Sequence, residues 1–185
     1  MKTLLPATLA LLLAACSGTV ERLDYTRATS DLRLNALASS VIVRTVQLPT
    51  YAASEEIAFE SAPGIITTSD ELLWSDDPQR AVTLQITAHL NDILSATVGP
   101  DPWPFAGLPD VGVDIRVAEM LAGADGVYRL EGQYFVGGDG IDFRNSANAF
   151  DIAVPLAGEG PGAVAAAQAA AILSLSEDIA RSLGG

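Results

Sequence analysis

The chain of 185 residues holds one lysine (Lys2), one histidine (His89) and one cysteine (Cys16), and each scarcity removes a branch of chemistry. Serine hydrolysis needs a base beside the nucleophile. The histidine available for that role sits between Ala88 and Leu90, in the middle of a predicted helix, and reads as a surface or boundary residue. No Cys/His cluster is present for zinc. A single thiol gives neither a disulfide framework nor a redox pair, so stability has to come from packing. Carboxylates are plentiful, yet Asp76-Asp77 precedes a proline as a helix cap would, and Asp139 and Asp142 sit in a glycine-rich turn. Gly138-Asp139-Gly140-Ile141-Asp142 lacks the regularly spaced oxygens of a calcium loop, and no helix start follows Gly137 to Gly140 to make a phosphate cradle. No catalytic residue, metal site or dissociable cofactor is expected.

What is present begins at the N-terminus. Lys2 gives a positive start, Leu4 to Leu13 form an apolar run interrupted by Pro6 and Thr8, and Ala14-Ala15 precede Cys16-Ser17. The run is shorter than the roughly 20 apolar residues a membrane span needs. The arrangement resembles a bacterial lipoprotein signal. That resemblance implies removal of residues 1–15 and a covalent diacylglycerol and acyl chain on Cys16. The remaining chain would carry no lysine, and nine arginines would face 23 carboxylates, a formal charge of −14. Such a surface repels polyanions and excludes nucleic acid as a partner. It also disfavours adsorption to anionic lipid, which leaves membrane attachment to the acyl chains.

Residues 16–38 are polar and mixed and read as a lipidated tether, about 60–70 Å long if about 20 residues extend fully. Within it Leu23 and Tyr25 alternate with polar neighbours, so Arg22 to Thr26 is alternatively a first edge strand. A folded domain is expected over residues 39–185. Ser40 to Leu48 is a β-branched strand ended by Pro49. Ile57 to Glu60, Ile65 to Thr68 and Glu71 to Trp74 are further extended pieces, with Pro63-Gly64 as a turn. Ser75, Asp76 or Asp77 caps a helix opened by Pro78, whose apolar spacing (Val82, Ile86, Leu90, Ile93, Thr97) predicts helix to about Thr97. Gly99 to Pro104 is a rigid loop carrying Trp103.

Two alternating runs follow, Val111 to Val117 and Tyr128 to Val136, joined by Ala124-Asp125-Gly126. A third, Ile141 to Val154, changes parity and predicts a bulge between Asn145 and Asn148. Pro161 opens a last helix with an alanine-rich stripe and Gly184 as its stop. The order defines one α+β domain, a two-layer sandwich of a mostly antiparallel sheet with two main helices on one face. Trp74, beside Leu72 and Leu73, and Trp103 with Phe105 are large apolar groups at segment ends. Each is either core filling or an exposed anchor for a partner.

These features in order resemble the ABC-type transport auxiliary lipoprotein family, the PqiC-like outer-membrane lipoproteins. The likeness spans roughly Ser40 to Leu183. It rests on the lipoprotein signal, Leu48-Pro49-x-Tyr51, Ile57-x-Phe59, Glu71-Leu72-Leu73-Trp74-Ser75-Asp76-Asp77-Pro78 and Pro102-Trp103-Pro104. Ala52, Ala53 and Ser54 depart from the Leu-Asp-Arg-like stretch usual after the tyrosine. The resemblance implies a non-enzymatic component of an MCE-type lipid-trafficking system. Its partners would be an MCE-domain protein and an inner-membrane ABC transporter, with a homo-oligomer left open. Ser17 in place of an aspartate favours outer-membrane anchoring, the domain facing the periplasm. Tyr51, Trp74, Trp103 and Phe105 are the candidate partner interface, and a periplasmic lipid- or small-ligand-binding lipoprotein is the alternative.

Overall fold

In the computed structural model the described residues are 20–138 and 143–184, so residues 1–15, Cys16 and the turn centred on Asp139-Gly140 lie outside them. Among the described residues the β-branched and alternating runs form eight strands. They are β1 (Glu21–Leu23), β2 (Ser40–Val43), β3 (Glu56–Ala62), β4 (Ile65–Trp74), β5 (Thr97–Pro100), β6 (Val111–Ala122), β7 (Val127–Gly138) and β8 (Ser146–Pro155). The helices are α1 (Pro78–Ile93) and α2 (Pro161–Leu183). Asp77 caps α1 by accepting from the Arg80 amide at 2.8 Å, with Pro78 in the first helical turn.

The long strand β6 organises the sheet. One edge pairs along its length with β7, which pairs in turn with β8, both antiparallel. Its other edge takes β2 near its start and β3 at its end, both parallel. β5 adds to β2 and β1 to β4, also parallel, while β3 and β4 form an antiparallel hairpin. The long pairings are thus antiparallel, and the short strands dock on them in parallel. The inward residues of β2, β6 and β7 (Val41, Val43, Val113, Ile115, Leu130, Tyr134) meet Ile86, Leu90, Ile172, Leu175 and Ile179 of the helices in one core. A second, smaller cluster joins Trp74, Ile57 and Ala165, with Leu23, Tyr25 and Leu72 against it.

The structure corrects several expectations. The stretch read as a tether is folded from Glu21 onward, with the alternative of a first edge strand realised over Glu21–Leu23. β1 pairs with β4, the Leu34 amide donates to Ile93 O, the Leu37 amide to Leu183 O, and Leu32 and Leu34 pack on the core. Their leucine spacing was too short to show a period, and contacts to distant segments supply the order. α1 stops at Ile93, because the Asn91 side chain pairs with both the amide and the carbonyl of Val98 and starts β5. Gly99-Pro100 is accordingly edge strand, and the loop begins at Asp101. The bulge lies in β6, between Val117 and Glu119, while β8 keeps register with β7 throughout.

Candidate functional site

The four aromatics expected at an interface are not brought together. Trp74 is buried at 6% exposure, and its ring stacks on Tyr25 with centroids 4.7 Å apart. Its amide donates to Glu55 O, and the following Ser75 amide donates to Leu23 O, so this tryptophan staples β1, β4 and the opening of α1. Tyr51 has an internal task as well. Its hydroxyl accepts from the Met120 amide at 3.2 Å, just past the β6 bulge, where the ladder has slipped. Partial burial and this contact hold the Leu48-Pro49-Thr50-Tyr51 turn against the sheet, with desolvation raising the phenol above its ordinary value.

Trp103 and Phe105 do meet, edge to face at 4.9 Å. Phe105 is half exposed and Leu108 is almost fully so. They belong to the 101–110 loop, which is pinned at both ends. The Asp101 amide donates to Val43 O, and the Asp110 carboxylate accepts from the Ser39 and Ser40 amides at 3.1 and 2.9 Å. Gly99 makes the seat for the indole: a β-carbon there would lie 2.9 Å from Trp103 Cζ3. In the sequence Gly99 reads only as the start of the loop carrying Trp103, although a glycine between two bulky segments is the available signal for such a close approach.

This loop walls one side of a groove of about 750 Å³ on the sheet face turned away from the helices. Its floor comes from Ile42, Gly112, Phe135 and Gly137, and Arg44 and Asp114 flank it. The Arg116 guanidinium ion-pairs with Asp114 at 2.9 Å and lies over the Phe135 ring at 5.1 Å, which fixes one rim. The Trp103 indole N–H is buried without an acceptor among the described residues. Apolar floor, a half-buried aromatic wall and an unused donor suit protein or peptide contact better than water.

A smaller apolar cavity of about 300 Å³ lies between β3, the end of β6 and the start of α2, lined by Ile57, Phe59, Leu72, Leu156, Pro161 and Val164. Among the described residues no group of three or more His, Cys, Asp or Glu side chains is arranged to hold a metal ion.

His89 is not the surface or boundary residue expected. It is 2% exposed, with Nε2 at 3.1 Å from Ala28 O and Nδ1 at 3.2 Å from Ser176 Oγ. A carbonyl only accepts, so Nε2 carries the proton and the ring joins the N-terminal segment to both helices. Burial lowers its pKa, opposed by the Ala28 carbonyl; Arg27 lowers it further, and Asp92 and Glu177 raise it. With the folded value below the free one of about 6.5, the unfolded chain takes up the proton first as pH falls. Stability is therefore full above that value and lost below it. Denaturant midpoints at pH 7.5 and pH 5.5 should show a larger acid loss for the native protein than for His89→Gln; equal losses would remove His89 as the cause.

Together these observations define a single α+β domain whose helices cover one sheet face and whose other face carries an aromatic-rimmed groove. The chain belongs to the family of ABC-type transport auxiliary lipoprotein components, whose model matches residues 24–180. Membership makes it an auxiliary component of an ABC-type transport system and places it in the cell envelope. Among solved structures, it is similar to a crystal structure of an uncharacterized protein at TM-score 0.70 and 17% identity, over 87% of this chain and 98% of the other. Protein XCC0632 from Xanthomonas campestris is similar at TM-score 0.69 and 14% identity, over 85% of this chain and 92% of the other. At such identities the likeness is one of fold. A search of curated proteins finds no match.

Proposed function

We propose that the protein is a non-catalytic, outer-membrane-anchored accessory lipoprotein that docks an envelope-spanning MCE-domain protein and so supports lipid transport and membrane integrity. Lipid on Cys16 holds it to the membrane, and the groove beside Trp103 and Phe105 meets the partner. The observation that carries the docking reading is that groove, because Trp103 and the exposed Leu108 line it and the exposed Phe105 packs against that indole, on a loop fixed at both ends.

A photo-reactive side chain at position 105, irradiated in cells and followed by mass spectrometry, should recover an MCE-domain protein or the transporter's inner-membrane components. Recovery of neither would sink the reading. Phe105→Ala should leave domain stability within about 0.5 kcal/mol, as for other exposed sites. It should weaken partner capture about 30-fold, the loss of a 2 kcal/mol interface anchor.

The second reading, a lipid- or small-ligand-binding lipoprotein, is favoured by the apolar cavity at Phe59, although its volume of about 300 Å³ is at the small end for ligand sites. Mass spectrometry of the delipidated domain, released without denaturation, distinguishes the two: a co-purifying lipid supports carriage.

A further inference from the structure

The β3–β4 hairpin extends past the end of β6, to which it is joined by the Phe59–Ala122 pair. Its tip is unlike the rest of this acidic surface. From Ser61 to Ser69 there is no charged residue. Ile65 and Ile66 are 56% and 41% exposed, and Phe59 beside them is 43% exposed. Strand alternation sends Ile65 and Ile66 to opposite faces, so both sides of the tip are apolar. The turn is also held in shape. The nearest carboxylate, Glu60, accepts from the Gly64 amide at 2.8 Å and from the Ala124 amide at 3.3 Å, and Gly64 takes the positive φ the turn requires.

The chain enters the domain on the tip's side. β1 runs parallel to β4, with Glu21 opposite Leu72 and Leu23 opposite Trp74, so the direction back from Glu21 is the direction from Leu72 toward Ile65. Four residues lie between Cys16 and Glu21, five chain steps with a reach of at most about 18 Å. The seven chain steps from Leu72 back to Ile65 cover about 23 Å. An anchor at Cys16 thus draws the membrane to the end of the domain where the apolar tip projects.

We infer that the β3–β4 tip is a second membrane contact, with Ile65 and Ile66 dipping into a zwitterionic phospholipid surface beside the acyl anchor and setting the domain's orientation. The inference rests on the Cys16 anchor proposed above. Zwitterionic lipid is the fitting surface because the tip offers no cation and the domain around it is strongly acidic.

The mature chain has no thiol besides the one taken by lipid, so Ile65→Cys in the full lipoprotein gives a unique labelling site. Leu108→Cys, at the opposite end of β6 and 83% exposed in the native chain, gives the comparison. Both proteins, with acylation of Cys16 verified by mass spectrometry, are spin-labelled and reconstituted in phosphatidylethanolamine–phosphatidylcholine vesicles. The tip label should sit about 5–10 Å below the headgroups, with its oxygen accessibility raised severalfold over the label at 108, which stays in water. A tip label in water on an acylated, vesicle-bound protein would overturn the tip contact alone. A tip label equally shielded with and without vesicles would overturn it in favour of a protein partner. An unmodified Cys16 would overturn the anchor and the tip contact with it.

Discussion

Gly132→Ala should destabilise the domain by about 3 kcal/mol or more, at the severe end for overpacking. That corresponds to a fall in thermal midpoint of about 6–12 °C for a chain of this size. Gly132 sits on β7 opposite Val117 of β6 and Phe150 of β8. A β-carbon there would lie 2.2 Å from Arg116 O, 2.8 Å from Phe150 Cζ and 3.0 Å from Val117 Cα. The Phe150 ring occupies the space a side chain would use, and it can turn aside. The Arg116 carbonyl cannot, because it belongs to the central strand at the point where the β6 register slips. Phe150→Leu combined with Gly132→Ala should therefore recover little of the loss. Circular-dichroism melts decide it, and full rescue by the smaller side chain at 150 would show that the ring, and not the backbone, sets the cost.

The second large effect concerns function without stability. Cys16→Ser should leave the melting of the folded domain unchanged and remove the protein from the membrane fraction, with envelope integrity in cells reduced to that of a deletion strain. The domain supplies no substitute for acyl chains: nine arginines against 23 carboxylates give no electrostatic hold on anionic lipid. A hairpin tip with two exposed isoleucines is far weaker than an acyl anchor. Fractionation and a detergent-sensitivity assay test both halves, and an unlipidated Cys16→Ser protein that functions fully would end the anchoring proposal.

Much of the architecture was legible because strong periodicities dictate it. The parity of Val111, Val113, Ile115 and Val117, the Asp77–Pro78 start of α1 and the stripe of α2 each predict an element that forms. Illegible were the features that long-range pairing creates. β5 is a strand because the Asn91 side chain and β2 hold its backbone, and nothing in Thr97-Val98-Gly99-Pro100 announces that. Residues 28–38 are ordered by the ends of α1 and α2, partners that local sequence cannot display. Of the candidate site, the aromatic pair Trp103–Phe105 was visible as large apolar groups near prolines. Whether a tryptophan faces core or solvent depends on what covers it, and Trp74 is covered by Tyr25, a residue about 50 positions earlier.

The pairing of Leu37 with Leu183 also dictates the order in which this protein comes into being. The early segment closes over helices made much later, and the parallel pairings of β1 with β4 and β2 with β6 likewise wait for distant partners. Folding dominated by such separations is slow, because long loops must close before any contact repays them. The stretch around Leu37 therefore gains its partner only once α2 has been made. The local β3–β4 hairpin needs no such wait, so if Cys16 carries the anchor proposed above, the apolar tip would be formed and ready to meet a membrane before the rest of the domain closes.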